Sequence, residues 1–199
     1  STKLLPSSFD LSAFSRGWNG VGNITFATYF KNTFVMVIPT VLLTVFSCSF
    51  VAYGFARFRF PFKKFFFALM ISTLMLPNSV IIIPRYLIFN KARLLNTYWP
   101  FYLPAAFACF PFFIFMIVQF LRGVPKELDE AAYIDGCSSL KVYFQILLPL
   151  IKPALFSAGL FQFMWTWNDF FNTLIYISSV KKFPVSLGLR ASLDTAAQV

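Results

Sequence analysis

The chain has 199 residues, 58% of them hydrophobic and only 12% charged, with a mean hydropathy of +0.71. Soluble domains carry about 25% charged residues, so this composition excludes an ordinary soluble globular protein. The net charge of +10 does not signal a nucleic-acid partner, because the basic residues fall in small groups at the ends of apolar runs, where they serve as interfacial anchors and topology determinants.

Histidine is absent, which removes the commonest general base and metal ligand; catalysis and a metal site within the chain are not expected. Cys48, Cys109 and Cys137 are far apart and lack any CxxC spacing, so they read as small apolar filler rather than a disulfide framework.

Residues 1–31 mix polar, aromatic and glycine residues, including Arg16-Gly17-Trp18-Asn19-Gly20, and cannot cross a membrane. Three charge-free runs follow, Asn32 to Ala56, Phe65 to Pro84 and Leu94 to Leu121. Each is long enough, at ~1.5 Å per residue, to cross a ~30 Å hydrocarbon core. A fourth run, Pro153 to Ile177, is interrupted only by Asp169. The spacing therefore predicts an all-α, polytopic bundle with spans near 32–56, 65–89, 98–121 and 153–177. Pro61 ends the first span. Pro77-Asn78 and Pro84 predict a kink or an unwound turn in the second, and Pro100, Pro104 and Pro111 predict bending in the third. The loops at one end carry four basic residues each, and those at the other end three each, a weak orientation signal.

The segment 121–151 is the only long polar stretch between spans, and it holds four of the seven acidic residues, Glu127, Asp129, Glu130 and Asp135. It predicts two short helices and a turn. Pro125 suits the first turn of a helix whose acidic residues complement the helix dipole. Ala131 and Ala132 present almost no side chain and let another surface approach the backbone. Gly136 breaks the helix through a left-handed turn. Ser138 or Ser139 caps a second helix, Leu140 to Leu148, with Val142, Tyr143, Ile146 and Leu147 as its apolar face, and Pro149 and Pro153 end it. An amphipathic helix lying on a bilayer is usually rich in Lys and Arg. This first helix is acidic, which favours docking into a groove on a soluble protein.

The pattern Glu130-Ala131-Ala132, three residues, Gly136, nine residues, Ile146, one residue, Leu148-Pro149 resembles the coupling-loop signature of binding-protein-dependent ABC importer permeases. Ala52-Tyr53-Gly54-Phe55-Ala56-Arg57-Phe58-Arg59-Phe60, Leu76-Pro77, Ile83-Pro84, Leu95-Asn96-Thr97-Tyr98-Trp99 and Trp167-Asn168-Asp169-Phe170 resemble the carbohydrate-uptake branch, on the side of the maltose-type second permease. The resemblance implies a transmembrane subunit of an ATP-driven sugar importer in the cytoplasmic membrane of a bacterium or archaeon. Its partners would be ABC ATPase subunits that hold ATP and Mg, a second permease, an extracytoplasmic solute-binding protein and the lipid bilayer; the chain itself would hold no cofactor. Glu130 would make a polar contact to the ATPase, Ala131 and Ala132 would allow close approach, and Gly136 would hold the turn, with Asp135, Ile146, Leu148 and Pro149 completing the loop. Residues 1–31 would follow a missing first span, 32–190 would form the permease domain, and 191–199 would begin the link to a missing last span, giving six spans in all.

For the substrate path, Asp169 is the one carboxylate inside an expected span, about 25 Å along a helix from Lys152. Trp165 and Trp167 flank it with faces suited to stacking on sugar rings, and Asn168 adds hydrogen bonding. Asn78, polar and beside a helix break, is the second candidate. Two other classes compete. A secondary transporter needs paired intramembrane charges, and only Asp169 qualifies. A non-transporting scaffold or sensor would use the polar loop solely to recruit a cytoplasmic protein.

Overall fold

A computed structural model describes Trp18 and residues 24–196; most of the expected extracytoplasmic segment, and residues 197–199, lie outside them. The described residues form helices and no strand. The axis of the bundle is α1 (Phe26–Arg57), 32 residues, or about 48 Å at ~1.5 Å per residue. It is followed by α2 (Lys63–Ser72), a 3-10 turn (Thr73–Met75), α3 (Asn78–Lys91), α4 (Trp99–Ala106), α5 (Pro111–Arg122), α6 (Glu127–Ile134), α7 (Ser139–Leu150), α8 (Lys152–Trp167), α9 (Phe170–Tyr176) and α10 (Val185–Ala196). Packed against α1 are α4, α5, α8 and α10.

Two stretches, Phe26–Arg57 and, taken across the gap between α4 and α5, Trp99–Arg122, are long and apolar enough to cross a membrane. The expected second span is not one rod. Lys63–Met75 and Asn78–Lys91 meet at 102°, because Pro77 forces Leu76 out of the helical region (φ −77°, ψ 121°) and removes a backbone donor. Pro84 sits inside α3 without ending it. In the third span Pro100 and Pro111 open helices rather than bend them, as their missing N–H groups permit. The interruption falls between them, at Ala108, whose φ is +53°.

The fourth span ends ten residues before the expected Ile177. Asn168 Nδ2 donates to the Met164 carbonyl at 2.8 Å and closes α8. Asp169 then accepts the Asn172 N–H at 3.1 Å and opens α9. These two residues form a junction between helices, not a polar step within one. Upstream, α8 meets α7 at 76°.

Two clusters make the interior. At one end Cys48, Ala52 and Tyr53 of α1 meet Phe113, Ile117 and Leu121 of α5. At the other, Met36 and Val37 meet Phe89, Phe101, Tyr176 and Ile177. Asn96 holds that second end closed: its N–H donates to the Tyr176 carbonyl at 2.7 Å and its side chain accepts the Ser179 N–H at 3.1 Å.

One backbone carbonyl freed by a proline finds a new partner on a neighbouring helix. Pro39 lies within α1 and cannot donate to the Val35 carbonyl four residues back. The Tyr102 hydroxyl of α4 donates to that carbonyl instead, at 2.6 Å. Tyr102→Phe therefore strands the Val35 carbonyl and should lower stability by about 1–3 kcal/mol. Equilibrium unfolding of the full-length protein in mixed micelles reads this directly; wild-type stability in the variant would show that the bond contributes nothing.

Candidate functional site

Two sites emerge, a docking loop at one end of the bundle and a polar cavity within it. The loop is built on α6. Its helix starts at Glu127 rather than at Pro125, with the Lys126 carbonyl accepting the N–H groups of Asp129 and Glu130 at 2.9 and 3.1 Å. At its far end Gly136 has φ +77°. Gly136 N–H donates to the Tyr133 carbonyl at 3.0 Å and Cys137 N–H to the Ala132 carbonyl at 2.9 Å. That pair of bonds satisfies the last carbonyls of the helix and requires the left-handed residue. A Cβ on Gly136 would meet nothing within 4 Å, so its cost there is conformational, about 1 kcal/mol.

The inner face of α6 is fixed to α1 by a polar stripe. Ser49, Tyr53 and Arg57 recur every four residues on one side of α1 and all reach the loop. The Ser49 and Tyr143 hydroxyls lie 2.7 Å apart, Tyr53 donates to the Ser139 carbonyl at 2.9 Å, and Arg57 donates to the Val124 carbonyl at 3.0 Å. Arg57 Nε lies 2.7 Å from Asp129 Oδ2, with side chains only 6% and 10% exposed. Burial pushes the Asp129 carboxyl above the usual carboxylate range, and the Arg57 guanidinium opposes that shift. Asp129 is thus a structural ion-pair partner, beyond its favourable place in the first turn of α6.

Ala132 belongs to this inner face as well. It is 5% exposed and packs in the same cluster as Tyr53, Leu121 and Tyr143, so it offers no surface to another protein. The outer face is formed by Leu128, Glu130, Ala131, Tyr133, Ile134 and Asp135, all exposed, with the apolar Ile134 87% exposed.

The second loop helix begins at Ser138, which accepts the Lys141 N–H at 3.4 Å. Val142, Tyr143 and Leu147 are fully buried, Ile146 and Leu148 half-buried and Pro149 exposed. Pro149 does not end this helix, which runs to Leu150. Instead the turn Tyr143–Leu147 widens to π geometry, and Leu148 N–H reaches back to the Tyr143 carbonyl. Proline can neither donate to the carbonyl four residues back nor fit against it, and a π turn relieves both constraints.

The cavity has a volume of about 430 Å³ and lies at the break between α2 and α3. Asn78 and Arg85 reach it from α3, Phe101 from α4, Gln162, Trp165 and Thr166 from α8, Asp169 from the α8–α9 junction, and Asn172 and Tyr176 from α9. Of the residues expected on a substrate path, Asn78, Trp165 and Asp169 come together here. Trp167 and Asn168 do not line it. Trp167 stacks on Phe163 with ring centroids 5.3 Å apart and meets Phe34 at 5.5 Å, while Asn168 is the exposed helix cap described above. Residues two apart on a helix point about 200° away from each other, so the Trp165-x-Trp167 pair is split between two surfaces.

Several polar groups in the cavity hold one another and leave acceptors free. Asn172 Nδ2 donates to both Asp169 oxygens, at 3.0 and 2.8 Å. Gln162 Nε2 donates to Thr166 Oγ1 at 3.0 Å. Among the described residues, Gln162 Oε1 and Asn172 Oδ1 have no partner. Gln162 lies nearly two helical turns before the break at Asn168–Asp169 and Asn172 about one turn after it, a polar spacing that the more conspicuous tryptophans obscure. The lining combines aromatic rings with amide, hydroxyl and charged side chains.

The described residues thus form a bent, proline-broken apolar bundle with a structured acidic loop. The chain belongs to the family described as the binding-protein-dependent transport system inner membrane component, which matches residues 32–193. It is 38% identical over 191 residues to the probable ABC transporter permease protein YurM of Bacillus subtilis, covering 96% of this chain and 62% of that one. It is 36% identical over 166 residues to the arabinooligosaccharides transport system permease protein AraQ of Halalkalibacterium halodurans, covering 83% and 59%. Its fold matches a chain in the crystal structure of a bacterial ABC transporter involved in the import of the acidic polysaccharide alginate. That match has a TM-score of 0.81, 25% identity and coverage of 94% of this chain and 64% of that one. The chain spans roughly three fifths of the length of these relatives.

Asp129→Asn leaves Arg57 buried without its counter-charge and should cost about 3–5 kcal/mol, whereas Arg57→Met with Asp129→Leu should restore most of that loss. Thermal unfolding of the full-length single and double variants makes the comparison. Equal losses in both would mean the pair is not desolvated as drawn.

Proposed function

We propose that this chain is a transmembrane permease subunit of an ATP-driven, binding-protein-dependent importer that moves a carbohydrate across the cytoplasmic membrane of a bacterium or archaeon. The observation that carries this reading is the two-sided α6: an inner face bonded to the bundle axis through Arg57, and an outer face of exposed apolar and acidic residues. A surface-lying loop needs only one such face. A loop that transmits force needs both, one to be gripped and one to hold on.

In this reading an ABC ATPase holds ATP and Mg and grips Leu128, Tyr133 and Ile134, with Glu130 contributing a polar contact. Closure of two ATPase subunits displaces α6, and the displacement passes through Asp129 and Arg57 into α1. The chain hydrolyses nothing and holds no cofactor itself. A second permease covers part of the apolar surface, and a solute-binding protein delivers the substrate from outside. The family and the sugar-linked relatives support these partners. The central cavity is the substrate path, in which Asn78 and Arg85 present polar groups and Trp165 and Phe101 supply ring faces.

After removal of Cys48, Cys109 and Cys137, Ile134→Cys in the full-length protein should crosslink to the ATPase subunit in an ATP-dependent manner, and Ala132→Cys should not. Crosslinking at Ala132 alone would invert the assigned faces; none at either position would point to a scaffold that recruits another protein. Asn78→Leu should raise the transport KM about tenfold through loss of a polar contact in the cavity, with assembly and basal ATP hydrolysis intact. An unchanged KM would remove Asn78 from the path.

A further inference from the structure

The turn between α1 and α2 forms a second, open cavity of about 390 Å³ at the docking-loop end of the bundle, lined by Arg59, Phe60, Phe62, Lys63 and Lys64. Neither the transport path nor the docking loop uses it. The charged groups that act on Lys63 are Arg59, Arg122 and Lys126, all cations, brought together from the α1–α2 turn and the α5–α6 connection. Asp129, the buried carboxylate nearest in sequence to Lys126, is already committed to Arg57. The first turn of α2 contains no acidic residue and has no side-chain cap, so its free N–H groups add to the positive field. Lys63 Nζ donates to the Phe58 carbonyl at 2.9 Å and fixes the turn, while Arg59 and Lys64 remain exposed.

The aromatic residues are placed as unusually as the charges. Phe62 has φ +58°, a conformation that bulky side chains avoid, and its ring is 76% exposed. No internal packing compensates for that conformation. Phe65 and Phe66, on the next turn, are exposed as well. A cationic pocket rimmed by outward-facing phenylalanines at the end of a membrane helix matches a molecule that is anionic at one end and apolar at the other.

We propose that this turn binds the phosphate of an anionic glycerophospholipid, with Arg59 and Lys64 holding the headgroup and Phe62 and Phe65 against the acyl chains. A free phosphate satisfies the cations alone and leaves the rings in water. A lipid satisfies both.

Native mass spectrometry of the assembled full-length transporter, titrated with phosphatidylglycerol or phosphatidylcholine, tests this. One phosphatidylglycerol should be retained in preference to phosphatidylcholine. Each cation near a membrane surface strengthens such binding about fivefold, so Arg59→Gln with Lys64→Gln should weaken it about 25-fold. Arg59→Lys with Lys64→Arg, which keeps both charges, should leave it nearly unchanged. Equal retention of the two lipids, or an unaltered preference in the glutamine variant, would overturn the proposal. Displacement of the lipid by excess inorganic phosphate would assign the pocket to a free anion and overturn the lipid source. Loss of the ATPase subunit from the glutamine variant, with lipid binding intact, would assign the patch to a protein contact instead.

Discussion

The Arg57–Asp129 pair joins the last residue of the longest helix to the first turn of the docking loop. Both charges are withdrawn from water, so the pair is worth little as net stability compared with a well-packed apolar substitute. Its value lies in direction. A buried guanidinium bound on two sides, to a carboxylate and to the Val124 carbonyl, tolerates few geometries, and α6 is held in one orientation relative to α1. Ser49 and Tyr53 extend the same grip toward the bundle interior. The loop is therefore held to the bundle axis at several points along α1.

Prolines shape the remainder by removing backbone donors where water cannot replace them. Each removal is resolved differently. At Pro39 a tyrosine from a neighbouring helix substitutes for the missing donor. At Pro77 the helix breaks outright, and the right-angled turn opens the wall of the central cavity. At Pro149 the chain widens to a π turn and continues. One residue type thus yields a repaired helix, a cavity and a register shift, according to what lies beside it.

Much of this was legible in the sequence. Charge-free runs marked the apolar segments, the carboxylate-rich stretch marked the loop, and Gly136 marked the left-handed turn. The failures share a cause: composition records what a segment contains but not which way each residue faces. Ala131 and Ala132 are indistinguishable as letters, yet one is exposed and the other buried. Trp165 and Trp167 look like a pair and face different surfaces. Asp169 looked like a charge within a span because Asn168-Asp169 gives no apolar break, although both are capable caps. The Ser49–Tyr53–Arg57 stripe was visible as polar residues spaced by four on an otherwise apolar helix. Its direction was not, because the sequence does not say which side of α1 meets the loop.

The π turn at Tyr143–Leu147 has a geometric meaning of its own. A π turn houses about one residue more than an α turn, so every side chain beyond it is rotated by roughly 100° about the helix axis. Tyr143, the first residue of the turn, faces Ser49 and shares one apolar cluster with Leu147, its last residue, and with Ile151 beyond it. The turn lets the helix pass Pro149, which lacks a donor, so that this one apolar face continues to the start of α8. Straightening it into an α-helix would preserve the hydrogen-bonded length of the segment while turning its two ends out of step.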